Sequence, residues 1–141
     1  MRAARAAPSS SRCRSLANAE LVKEIYELAR RANHRELRTH LHDDVTWHPA
    51  REDAWKACTG ADEVVQTLLW RSSANRLRPG EMLELGGLVF VQLRGKRLER
   101  IGAKGFVPKL FQVIAIREGK VVSIKDYAKR TEALEAAGVK L

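Results

Sequence analysis

Three side chains in this sequence interrupt apolar patterns with chemistry that an apolar surrounding would sharpen. His48 ends the alternating run Val45-Thr46-Trp47 and directly precedes Pro49. Its ordinary pKa of about 6.5 suits proton exchange near neutrality. In an extended strand Thr46 and His48 share one face, while Val45 and Trp47 share the other. Asp126 shares a strand face with Val122 and Ile124, which directs its carboxylate to the core side. An unpaired carboxylate there has a raised pKa, which is how proteins without cofactors make an acid or base at neutral pH. Gln112 breaks the apolar row Leu110, Ile114 and Ile116, and a buried amide can orient a ligand carbonyl or a water. Gln92, alternating with Phe90 and Arg94, is a second amide of this kind. Plainer readings stand beside these: His48 bonded to a loop carbonyl, and Asp126 paired with Arg130 four residues on.

Other chemistries find less support. His40, His42, Asp43, Asp44 and His48 lie close in sequence, but His40 and His42, read on a helix, point to different sides. No HExxH or paired Cys/His spacing appears, so neither a metal nor a cofactor is expected. Cys13 and Cys58 form no disulfide framework and fit a reducing compartment. Phosphate-binding glycine loops and a Ser-His-Asp context are absent as well. Trp55 and Trp70 flank the loop and helix that would close a pocket, which makes them candidates for its lining.

The elements that must position these groups read as one domain of 141 residues. Residues 1–17 carry four arginines and no acid, and are expected to be a disordered extension ahead of a domain at 18–141. That composition also matches an organellar transit peptide. An amphipathic helix is expected from Asn18 to about Ala32, with Leu21, Val22, Ile25, Leu28, Ala29 and Ala32 inward. A shorter helix carrying Leu37 and Leu41 leads to Asp43-Asp44, then a strand over 45–48. A helix capped by Thr59 and Asp62 buries Val64, Val65, Leu68 and Leu69. After a basic loop from Arg71 to Gly80 the pattern turns to strands at 82–85, 88–93, 106–116 and 121–127, with a final helix at 131–137. Helices first and strands after predict an α+β domain with a mainly antiparallel sheet. Phe111, Val113 and Ala115 oppose Leu110, Ile114 and Ile116, so that strand needs cover on both faces. With helices on one face, a second subunit on the other is expected, hence a homodimer.

The net charge of +9 is partly local, because residues 18–141 hold 22 basic and 17 acidic side chains. The basic segments 71–78 and 94–109 contain one aromatic, Phe106, a poor base-stacking platform. They read as solvated loops, and nucleic acid is not an expected partner. No apolar run approaches the roughly 20 residues of a membrane span. A cytoplasmic protein without a membrane partner is therefore expected.

The order of these elements resembles the SnoaL-like branch of the nuclear-transport-factor-2-like (NTF2-like) superfamily over roughly residues 18–139. Its carriers are the first helix leading to LHDDVTWHP (41–49), then TGADEVVQTL (59–68), then LFQVIAIREGKVVSIKDYAKRTEALEAAG (110–138). The resemblance implies a cone-shaped curved sheet wrapped around a pocket, closed by N-terminal helices and often dimeric. It implies a small apolar or carbonyl-containing ligand. Two functions follow: a cofactor-independent isomerase, cyclase or epoxide-hydrolase-like enzyme, or a non-catalytic ligand-binding or dimeric interaction domain. By similarity to ketosteroid isomerases, His48 stands where their cavity-facing aspartate base precedes a proline. Gln112 lies near their oxyanion-stabilising acid. Tyr26 is one position from their oxyanion tyrosine, whose own place holds Ile25. Asp126 resembles the acidic residue near the end of this strand in some cyclase and epoxide-hydrolase relatives. Fold alone does not choose among these functions.

Overall fold

The apolar stripe of the first helix and the alternating strands meet around one interior. The structure, a computed structural model, describes residues 18–141; the expected extension at 1–17 lies outside them. Helix α1 (Asn18–Arg30) buries Val22, Ile25, Tyr26, Leu28 and Ala29. Its outer Glu27 pairs with Arg30 and Arg31. The Asn33 side chain then accepts from the Glu36 backbone N–H at 3.2 Å and starts α2 (His34–Thr39).

Strand β1 (Leu41–His48) begins earlier than its sequence suggested, so Leu41 reaches the core from a strand and not from a helix. A two-residue β2 (Cys58–Thr59) precedes α3 (Ala61–Ala74). The expected Thr59–Asp62 cap is replaced: Glu63 accepts from the Thr59 backbone N–H at 2.9 Å, and Asp62 pairs with Arg38. Helix α3 also runs through Arg71, where a loop was expected.

Strands β3 (Arg78–Leu85), β4 (Leu88–Arg94), β5 (Leu110–Arg117) and β6 (Lys120–Tyr127) complete a six-stranded sheet of order β2-β1-β6-β5-β4-β3. All neighbours are antiparallel except β1 and β6. Glu118 and Gly119, with φ of 53° and 78°, form the tight turn between β5 and β6. Register shifts in the β1–β6, β3–β4 and β5–β6 pairs mark bulges, the usual means of bending a sheet.

The concave face packs Val45, Trp47, Val89, Val91, Leu110, Ile114 and Ile124 against α1 and α3. A second cluster lies on the opposite face. There Phe90 and Phe111 stack at 5.9 Å and pack with Val113 under Ala133, Leu134 and Ala137, residues of α4 (Arg130–Ala136) and its C-cap. The outer face expected to need a second subunit is thus covered in part by the chain's own last helix.

The loop after β4 is held close to the end of α3. Lys96 donates its backbone N–H to the Asn75 carbonyl at 2.7 Å. A Cβ on Gly95 would lie 2.5 Å from that carbonyl oxygen. Gly95→Ala should therefore lower stability by about 1–3 kcal/mol, measured by denaturant unfolding. An unchanged midpoint would mean that this junction yields freely.

Candidate functional site

The inner faces of β1, β5 and β6 bring Trp47, Gln112 and Asp126 together beneath Tyr26 of α1. Tyr26 donates its hydroxyl to Gln112 Oε1 at 2.7 Å. Gln112 Nε2 donates to Asp126 Oδ1 at 3.0 Å, and Trp47 Nε1 donates to the same oxygen at 2.8 Å. All four side chains are buried. Strand register explains the meeting, since Gln112 lies opposite Asp126 and Trp47 pairs with Ile124 two residues before it.

Arg71 closes the group from α3. It lies three residues beyond Leu68 and seven beyond Val64, on the helix's buried stripe, and is 2% exposed. Its guanidinium carbon lies 4.5 Å from the ring centre of Trp55 and 5.6 Å from that of Trp47. The two indoles meet edge to face at 5.3 Å. Such aromatic faces partly replace the lost hydration of a buried cation.

The cluster is incompletely satisfied. Among the described residues, Asp126 Oδ2, Arg71 Nε and Nη1, and Trp55 Nε1 have no hydrogen-bond partner. The buried cluster therefore holds one open acceptor and three open donors. Burial pushes the Asp126 pKa up to about 6, against the hydrogen bonds from Trp47 and Gln112 and the charge of Arg71. Burial, and then the charge of Asp126, lifts the Tyr26 hydroxyl above the usual phenol range. Burial also lowers the Arg71 pKa, which Asp126 opposes. Cys58 is buried beside Thr67 at 3.1 Å with its thiol pKa pushed up by burial, which suits a packed side chain and not a nucleophile.

Placement departs from the sequence reading at several residues. Val45 and Trp47, not Thr46 and His48, face inward, so His48 is exposed opposite Lys125 on the other side of the sheet from Asp126. These two residues do not share a pocket. His48 instead lines an outer groove of about 530 Å³ with Pro49, Glu52, Trp55 and Lys125. Gln92 lies opposite Phe111 and shares its outward face. Trp70 is 62% exposed and lines a surface groove between the helices. Arg130 pairs with Glu81 at 2.6 Å, so it does not neutralise Asp126.

Tyr26, Gln112 and Asp126 do meet, and Trp55 stands over Arg71. Arg71 itself was hidden from sequence reasoning as the first residue of a basic stretch. Its signal was helical spacing: continuing the period of Val64 and Leu68 reaches Arg71.

This curved six-stranded sheet, with helices packed into its concave side, is the NTF2-like fold. An NTF2-like protein from Burkholderia xenovorans is similar at 21% identity and a TM-score of 0.57, over 86% of this chain and 95% of that one. A candidate polyketide cyclase from Sinorhizobium meliloti aligns at 13% identity and a TM-score of 0.56, over 76% and 93%. TerC, crystallised with polyporic acid, aligns at 21% identity and a TM-score of 0.54, over 86% and 98%. No protein-family model and no curated protein matches the sequence. Among the described residues no helix is long and apolar enough to cross a membrane.

Proposed function

We propose that this chain binds a small, largely apolar molecule bearing a carbonyl or ionised oxygen inside the cone, and exchanges a proton with it through Asp126. The observation that carries the reading is the set of buried, partnerless atoms in one cluster: Asp126 Oδ2, Arg71 Nε and Nη1, and Trp55 Nε1. Leaving such atoms unpaired costs about 1–3 kcal/mol each, more for charged groups, and a ligand oxygen would relieve it. Arg71 and Trp55 would hold that oxygen and stabilise the negative charge that develops when a neighbouring C–H bond is broken. Asp126, with a pKa near neutrality, would take and return the proton. Tyr26, Gln112 and Trp47 hold the carboxylate in place and touch no substrate in this scheme. Trp55 lines the outer groove and also lies against Arg71, so a ligand entering from that groove would need the ring to swing aside. One NTF2-like neighbour crystallised with polyporic acid and another described as a polyketide cyclase candidate support this ligand class.

The test uses a panel of cyclic ketones, conjugated enones and hydroxyquinones, read by tryptophan fluorescence and by hydrogen–deuterium exchange at the carbon next to the carbonyl. Binding should weaken at least about tenfold in Arg71→Met and Trp55→Phe. Exchange should rise as pH passes about 6 and fall by about a hundredfold or more in Asp126→Asn. Binding without exchange would leave a ligand-binding domain. Affinity indifferent to Arg71 and Trp55 would sink the proposal.

A further inference from the structure

The positive charge of this domain is not spread over its surface. Residues 18–141 carry 22 basic and 17 acidic side chains, and the segment 94–109 alone holds six basic residues and one acid. Outside that segment the domain is electrically balanced. Arg94, Lys96, Arg97, Arg100, Lys104 and Lys109 are all exposed, and among the described residues none of them makes an ion pair.

The loop that bears them is anchored at its base. Leu98, Ile101 and Ala103 are buried in the core, and Leu98–Ile101 forms a 3-10 turn. The Asn75 side chain donates to the Lys96 carbonyl at 2.9 Å. Beyond this base an isolated bridge between Lys104 and Lys109 closes a short turn. At its tip Phe106 is fully exposed and Val107 is 66% exposed. Two large apolar side chains are thus held out in water, side by side, within a collar of cations.

We propose that this tip inserts Phe106 and Val107 into the surface of an anionic phospholipid bilayer while the surrounding lysines and arginines contact the headgroups. An apolar tip gains from leaving water for the acyl boundary, and each cation near an anionic surface adds to the attraction. The same geometry disfavours two other occupants. A single strand of nucleic acid would use the charges and could stack on Phe106, but Val107 has no π-face to offer a base. A second copy of this chain would bring an identical cationic collar against the first. The contact is peripheral and requires no spanning helix.

The experiment is co-sedimentation of the full chain with vesicles of phosphatidylcholine, with and without about one-third phosphatidylserine. The chain should pellet only with the phosphatidylserine vesicles. The charge-neutral double variant Phe106→Ser with Val107→Ser should bind about tenfold more weakly. Lys104→Glu with Lys109→Glu should lose a comparable factor or more. Both variants should unfold at the wild-type temperature, because the altered side chains face solvent. Equal binding by both variants would assign any attachment to other basic residues, such as the Arg-rich start, and overturn the proposal. So would a lowered unfolding temperature, which would place the tip in a packing contact. Retention on single-stranded nucleic acid but not on vesicles, unaffected by the serine variant, would also overturn it.

Discussion

The stability of the wild type relative to Asp126→Asn should fall by about 3 kcal/mol as the pH rises from roughly 4 to 7. The sign follows from the direction of the shift. Burial raises the Asp126 pKa from 3.8 to about 6, so between those values the folded chain holds a proton that the unfolded chain has released. Where the native state binds more protons, stability decreases with pH. Below about pH 4 both states are protonated and the contribution is flat; above about 6 both are ionised and the folded state carries the full cost of a buried charge. Other carboxylates act in the opposite sense. Glu81, held below the usual range by Arg130, loses its contribution as pH falls. The informative quantity is therefore the difference between wild type and Asp126→Asn, which keeps an oxygen for Trp47 and Gln112 while removing the titration. Denaturant unfolding from about pH 4 to 7.5 reads it. Parallel profiles would show that Asp126 does not hold the proton.

Trp47→Ala should cost about 3–5 kcal/mol, the largest single loss expected here. Trp47 is fully buried, packs edge to face on Trp55, lies beneath Arg71 and donates to Asp126 Oδ1. Truncation would leave a cavity and remove one of the two donors on the carboxylate. Trp47→Phe separates these effects. It retains most of the ring and loses the N–H, for a cost of about 1–2 kcal/mol. Because the Trp47 hydrogen bond lowers the Asp126 pKa, this variant should also titrate above the wild-type value of about 6. Unfolding at two pH values measures both consequences. A Trp47→Phe variant with an unmoved midpoint would show that the Trp47 hydrogen bond does not set the acidity of Asp126.

What the sequence determined by itself was the order of elements and the parity of side chains along them. Helix period placed Val22, Ile25 and Leu68 in the core, and strand period put Gln112 and Asp126 on one inward face. Both signals are local, written in the spacing of neighbouring residues. Tertiary structure decided what parity leaves open, namely which of two faces looks inward. Thr46 and His48 alternate with Val45 and Trp47, and the choice fell to the pair that buries more apolar surface, so His48 went to solvent. The same holds for Arg71 and for the outer sheet face. A guanidinium at the end of an apolar stripe reads as the start of a basic loop until Trp47 and Trp55, distant in sequence, supply rings for it to lie against. Phe111 and Val113 announce that their face must be covered, but only the folded chain brings α4 back over them. Contacts between residues far apart in sequence leave no periodic trace, so the cluster of Arg71, Trp47, Trp55 and Asp126 became visible only once the chain had folded.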